Sequence, residues 1–222
     1  MRLRKIPQAG EYIRSYPEFA IVENTDLKGN WQTIFADKQQ IHIEIGMGKG
    51  GFINEMARLA PDINFIGIEM YDSVLLKALK KLVENPLPNL RLLHANAANL
   101  TKFFAKGEVS KVYLNFCDPW PKSRHAKRRL TYKDFLAVYQ EILKDDGMLQ
   151  LKTDNRSLFE YSLLVLNHYG MKFADVSLDL HADPNAYPDN VMTEYERKFH
   201  GLGQPIYLLA ATFCSEKEAL NI

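Results

Sequence analysis

From residue 41 onward, short apolar runs alternate with stretches in which apolar residues recur every three or four positions. The runs 41–45, 64–68, 90–93, 111–116, 147–151, 172–178 and 206–213 have the length and apolar content of strands. Between them, 52–59, 73–83, 132–143 and 158–168 carry the 3.6-residue period of helices, and 96–104 carries it more weakly. Such alternation builds strand-helix-strand units, which predicts an α/β fold with a largely parallel sheet and helices on both faces. No long helical pattern separates the last two runs, so the sheet is expected to hold seven strands, the final one antiparallel. The first forty residues do not extend the alternation. Tyr16, Trp31 and Phe35 nevertheless argue that part of them packs, as an arm followed by a helix around 31–35.

At 222 residues the chain is long enough to bury a sizeable core, and no Gly/Ser-rich or Pro-rich tract divides it. A single domain is expected, with an N-terminal arm and helix over 1–40, the core over 41–213 and a tail over 214–222. Cys117 and Cys214 are too few for a disulfide framework and lack zinc-ligand spacing, so no metal is expected. The start of the chain has no apolar core of the signal-peptide kind, and no run nears the length of a membrane span. A cytoplasmic protein without membrane contact is therefore expected. The formal net charge is only +1, yet Lys122, Arg124, Lys127, Arg128 and Arg129 fall within eight residues. That local density, not the total, bears on nucleic-acid binding.

In an open parallel sheet, ligands sit beyond the carboxyl ends of the strands, so the turns after the first four core strands should carry the chemistry. The first turn is Glu44-Ile45-Gly46-Met47-Gly48-Lys49-Gly50-Gly51, in which Gly46, Gly48 and Gly50 permit positive φ and close backbone approach. Glu69 ends the second strand, where a carboxylate suits the two hydroxyls of a ribose. Asn96, after the third, offers an amide to an adenine edge. The glycine spacing is close to a dinucleotide fingerprint. Glu44, however, would repel a pyrophosphate and attract the ammonium of a methionine moiety, which favours S-adenosylmethionine over a nicotinamide cofactor.

The fourth strand runs into Asn115-Phe116-Cys117-Asp118-Pro119-Trp120-Pro121-Lys122. Two prolines around a tryptophan predict a stiff, extended turn that presents Asp118 and the Trp120 ring in set directions. A ring beside a carboxylate suits a planar base extruded for chemistry. The basic run that follows would bind a phosphate backbone, or serve as a solvated loop. Cys117 reads as a small buried residue, because no charge partner that would activate it is evident.

Together, Glu44–Gly51, Asn115–Lys122, the basic run, Thr153-Asp154 and Thr193-Glu194-Tyr195-Glu196 resemble the bacterial tRNA (guanine-N7)-methyltransferases over nearly the whole chain. The Asp-Pro-Trp-Pro-Lys turn and the Thr-x-Tyr-Glu motif are the specific parts. The resemblance implies a Rossmann-like methyltransferase fold and methyl transfer from S-adenosylmethionine to N7 of the variable-loop guanosine of tRNA, position 46 in tRNA numbering. It implies cofactor contacts at Glu44, Glu69, Asn96 and Asp118, and substrate contacts at Lys122, Asp154, Thr193 and Glu196. RNA contacts are implied at Arg124, Lys127, Arg128 and Arg129, in a monomer or homodimer. At Asn96 the chain departs from relatives that carry an aspartate there.

The residue types suit this reaction independently. Guanine N7 has an in-plane lone pair and no proton, so no general base is needed, and holding the reacting atoms about 3–3.5 Å apart supplies much of the acceleration. The product base is cationic, which gives Asp118 an electrostatic and positioning role as the catalytic residue. Reading guanine requires acceptors for its N1 hydrogen and exocyclic amine, for which Glu196 is the first choice and Asp154 the second. Thr193–Glu196 also reads as an N-capped turn before the last strand. A nicotinamide oxidoreductase, a non-catalytic RNA binder and an exocyclic-amine methylase are the competing classes. The last is disfavoured because Trp120 separates the two prolines.

Overall fold

A computed structural model describes residues 6–35 and 37–214. Its eight-stranded sheet comprises β1 (Ala20–Val22), β2 (Gln40–Ile45), β3 (Ile63–Glu69), β4 (Leu90–His94), β5 (Val109–Asn115), β6 (Leu143–Thr153), β7 (Met171–Ser177) and β8 (Tyr207–Phe213). The spatial order is β1-β4-β3-β2-β5-β6-β8-β7. Every pairing from β1 to β6 is parallel, and β8 runs antiparallel to both β6 and β7. The seven expected strands are all present. The eighth, β1, adds three residues beside β4, too few for any period to register in the sequence.

The helices are α1 (Ala9–Arg14), α2 (Gly51–Leu59), α3 (Asp72–Glu84), α4 (Lys133–Ile142), α5 (Arg156–His168) and α6 (Glu194–His200). Alternation along the strands sends side chains to two cores. On one face Ile41, Ile43 and Ile45 join Trp31, Phe104, Tyr139 of α4 and Phe159 of α5. On the other, Phe65, Leu90 and Leu92 pack against α1, α2 and α3. The expected helix around 31–35 is a single 3-10 turn, Trp31–Ile34, with Trp31 fully buried and its indole N–H donating to the Phe103 carbonyl at 2.8 Å. The weak pattern at 96–104 is likewise a 3-10 segment, Ala97–Lys102. Among the described residues no helix is long and apolar enough to cross a membrane. The tail beyond residue 214 lies outside the described residues, as does the start of the arm.

Because β2 to β6 are parallel, their carboxyl ends meet at one edge. The glycine loop, Glu69, Asn96, the Asp118 turn and Asp154 are therefore gathered there by topology alone.

Candidate active site

Strand β2 delivers Glu44 to this edge with its side chain on the α2/α3 face, where it is 3% exposed. Asn115 Nδ2, one strand over, donates to Glu44 Oε1 at 2.9 Å. Glu44 Oε2 and Asn115 Oδ1 are both buried and have no hydrogen-bond partner among the described residues. Burial pushes the Glu44 carboxyl up to about 8, against the lowering effects of the Asn115 hydrogen bond, the Lys152 charge and the Ile53 backbone N–H at the start of α2. Two unmatched acceptors side by side are costly unless a donor arrives.

The chain leaves β2 through Gly46, Gly48 and Gly50, at φ of 72°, 61° and 72°, as their positions in the loop require. A Cβ at Gly46 or Gly48 would meet nothing within 4 Å, so the loop borders open space. At Gly50 the constraint is packing, since a Cβ there would lie 3.1 Å from that of Ala78 in α3. Glu69 braces the loop: its Oε1 accepts from the backbone N–H groups of Met70 (2.8 Å) and Tyr71 (3.1 Å), and its Oε2 from that of Gly48 (3.3 Å). Asn96 is exposed and caps the 3-10 segment through Oδ1, which accepts from Ala98 N at 2.9 Å. An open glycine edge, a ribose-competent carboxylate and a buried pair of acceptors fit a ligand with an adenosine at one end and an ammonium at the other.

The turn after β5 differs from the expected extended one. Phe116 and Trp120 adopt positive φ, 51° and 41°, a conformation that costs non-glycine residues energy unless the surroundings impose it. The imposing group at Trp120 is Arg129, whose guanidinium donates to the Pro119 carbonyl at 3.1 Å and the Trp120 carbonyl at 3.0 Å while lying 4.1 Å from the Tyr161 ring centroid. Arg128 covers the Trp120 ring at 4.8 Å, and His125 meets it edge-on at 5.8 Å. The basic run is thus a 3-10 helix, Ser123–Arg128, folded back on the tryptophan. Lys122, Arg124, Lys127 and Arg128 are exposed, whereas Arg129 is half-buried as a strut of the turn. Asp118 is exposed at the mouth, beside Cys117. Burial, reinforced by the Glu44 and Asp118 charges, pushes the Cys117 thiol up to about 12, so it is a protonated packing residue.

The third wall is α6. Thr193 and Glu196 form a capping box: Thr193 Oγ1 accepts from Glu196 N at 2.9 Å, and Glu196 Oε2 accepts from Thr193 N at 3.3 Å. Glu196 is 0% exposed. Its Oε1 also receives Asn190 Nδ2 at 2.7 Å and pairs with His181 Nε2 at 3.1 Å, and its Oε2 receives Lys152 Nζ at 2.7 Å. A carboxylate offers about four acceptor sites, and all are used. In this arrangement the Glu196 carboxylate is held inside the wall, engaged by the chain's own donors. Asp154, at the end of β6, is half-buried and shows no side-chain hydrogen bond among the described residues.

The structure therefore brings Glu44, Glu69, Asn96, Asp118 and Asp154 to one edge, with Glu196 engaged inside the α6 wall and Arg129 bonded to the carbonyls of the Asp118 turn. No local pattern along the chain points to Lys152, Asn190 or His181. Their common partner lies 44, 6 and 15 residues away, respectively. Tyr195 is a further addition: exposed on α6, it is stacked 6.2 Å from Phe116 at the start of the Asp118 turn.

A family model described as a putative methyltransferase matches residues 38–209. A tRNA (guanine-N(7)-)-methyltransferase of Geobacillus kaustophilus is 58% identical over 207 residues, covering 93% of this chain and 94% of that protein. One of Lysinibacillus sphaericus is 56% identical over 217 residues, covering 97% and 100%. Among solved structures, a 16S rRNA methyltransferase matches with a TM-score of 0.63 at 16% identity over 84% of this chain and 94% of that one. A 16S rRNA (adenine(1408)-N(1))-methyltransferase from Catenulisporales acidiphilia, solved with SAM as cosubstrate, matches at 0.62 and 15% identity over 87% and 92%. These two likenesses establish the shared fold.

Proposed function

This chain belongs to the tRNA (guanine-N(7)-)-methyltransferase family, and from that premise we propose how its residues carry methyl transfer from S-adenosylmethionine to guanine N7 in tRNA. The observation that carries the reading is the buried pair of unmatched acceptors, Glu44 Oε2 and Asn115 Oδ1, beside the open glycine loop. An ammonium satisfies both and stabilises the ionised form of Glu44, which a phosphate would not. Glu69 holds the ribose hydroxyls and Asn96 the adenine edge. When bound, S-adenosylmethionine supplies a methyl group activated by the adjoining sulfonium.

The chain's own work is alignment and electrostatics. Asp118, at the end of a turn fixed by Arg129, faces the base and stabilises the positive charge that develops on it. With Glu196 fully engaged, Asp154 is the acceptor for the guanine N1 hydrogen and exocyclic amine, and Thr193 contributes through its hydroxyl proton. Tyr195 offers an exposed face on which the extruded base stacks. Lys122, Arg124, Lys127 and Arg128 bind the RNA backbone, and we place the target in the variable loop, position 46, in the cytoplasm.

Incubation with labelled S-adenosylmethionine and unmodified tRNA tests this reading. Label is expected in RNA as 7-methylguanosine, and Tyr195→Ala is expected to raise KM for tRNA with little change in affinity for S-adenosylhomocysteine. Absence of label from tRNA in the wild-type reaction would refute it.

A further inference from the structure

The carboxyl ends of β2, β5 and β6 carry a polar row. The registers Glu44↔Tyr113 and Asn115↔Lys152 place Glu44, Asn115 and Lys152 on the same face of three adjacent strands. Lys152 is 0% exposed. Its three N–H donors go to Glu196 Oε2 (2.7 Å), the Val191 carbonyl (2.8 Å) and Asn190 Oδ1 (3.0 Å), all in the segment 190–196 that forms the far wall of the cleft. No donor is left for Glu44, on which Lys152 acts through space in a buried setting where charge is poorly screened. The Phe52 ring, 5.1 Å from Nζ, closes the remaining side.

We propose that Lys152 is a positioning residue that couples the two walls of the cleft: its buried ammonium anchors segment 190–196 and supplies the field that lets Glu44 receive the ligand's ammonium. The inference rests on the reading of Glu44 given above. A buried ion pair is a poor stability device, since an apolar pair of similar volume commonly does as well. Retaining one here makes sense if the charge is used. Removing Lys152 alone would leave Glu196 and Glu44 as two buried carboxylates without a cation, which disfavours ionisation of Glu44. The other titratable groups facing Glu44 are Glu69 of β3, Tyr113 of β5 and Cys117 after it, and none of these supplies positive charge. Lys152 is thus the cation that faces Glu44 among the described residues.

The test measures S-adenosylhomocysteine affinity by calorimetry from pH 6 to 9.5 in the wild type, Lys152→Met, Lys152→Arg, Glu44→Gln and Lys152→Met/Glu44→Gln. In Lys152→Met, affinity at pH 7 should fall about tenfold and the pH midpoint should move alkaline by about one unit. In Lys152→Arg the midpoint should return towards the wild-type value. In the Glu44→Gln background the midpoint should be absent, and Lys152→Met should cost little more. An unmoved midpoint in folded Lys152→Met, or a full tenfold loss persisting in the Glu44→Gln background, would overturn the proposal. Should Lys152→Met lack a cooperative unfolding transition, Glu196→Gln carries the test with the opposite sign. Without the Glu196 charge to offset Lys152, the midpoint should move acid, and an unmoved one counts against the coupling. Failure of the wild type to bind S-adenosylhomocysteine would instead sink the cofactor assignment itself.

Discussion

At Glu44 burial wins over the hydrogen bond from Asn115, the Lys152 charge and the Ile53 backbone N–H, placing the group at about 8. At pH 7 the ligand-free carboxyl is therefore mostly protonated. An ammonium beside Oε2 favours the ionised form, so binding lowers this value and expels a proton. Affinity for S-adenosylhomocysteine should rise with pH up to about 8 and fall again once the ligand's own ammonium loses its proton. Calorimetry at pH 7 in buffers of differing ionisation heat should show net proton release in the wild type and none in Glu44→Gln. Equal release by both would remove Glu44 from the ammonium site. Asp118 is exposed, so the electrostatic role proposed for it requires RNA to cover it. Asp118→Ala should lower kcat by about 10²–10³, the scale seen when one preorganised electrostatic contact is lost, with tRNA affinity nearly unchanged. Filter binding alongside single-turnover transfer separates the two quantities.

The elements that frame the cleft owe their geometry to contacts between distant parts of the chain. The 3-10 helix Ser123–Arg128 folds onto Trp120, and the proposed reading gives its exposed cations a different role from Arg129 just beyond it. Lys127→Ala with Arg128→Ala should weaken tRNA binding and reduce the salt slope by about one to two, since each phosphate contact contributes somewhat less than one. Arg129→Ala should leave the salt slope nearly intact and lower kcat, because it releases the Pro119 and Trp120 carbonyls and the strained turn they hold. A salt slope that falls as much in Arg129→Ala as in the double variant would contradict this division. At α6 the capping box carries a similar load. Thr193→Val removes the cap for about 1 kcal/mol, which in a chain of this size lowers Tm by roughly 2–4 °C. Thermal unfolding followed by circular dichroism measures it.

For the molecule as a whole, the sheet was legible because seven of its strands are long enough to register a period and sit between amphipathic helices. The positions of Glu44, Glu69, Asn96 and Asp118 were legible for the same reason, since parallel topology puts every strand's carboxyl end at one edge. What escaped was either too short or too distant. Strand β1 has three residues and α1 six, below the span over which periodicity shows. The engagement of Glu196 depends on Lys152, Asn190 and His181, and that of Arg129 on two carbonyls and the Tyr161 ring. Charge and motif alone could not distinguish a residue that meets the ligand from one that holds such a residue in place.

The claim that unites these scales is that the carboxyl edge of the sheet methylates one ring nitrogen of one guanosine. Unmodified tRNA treated with the protein and S-adenosylmethionine, then reduced and cleaved with aniline at 7-methylguanosine, tests it directly. The account predicts a single cleavage in the variable loop, lost in Asp118→Ala. Methyl incorporation without aniline-sensitive cleavage would contradict it.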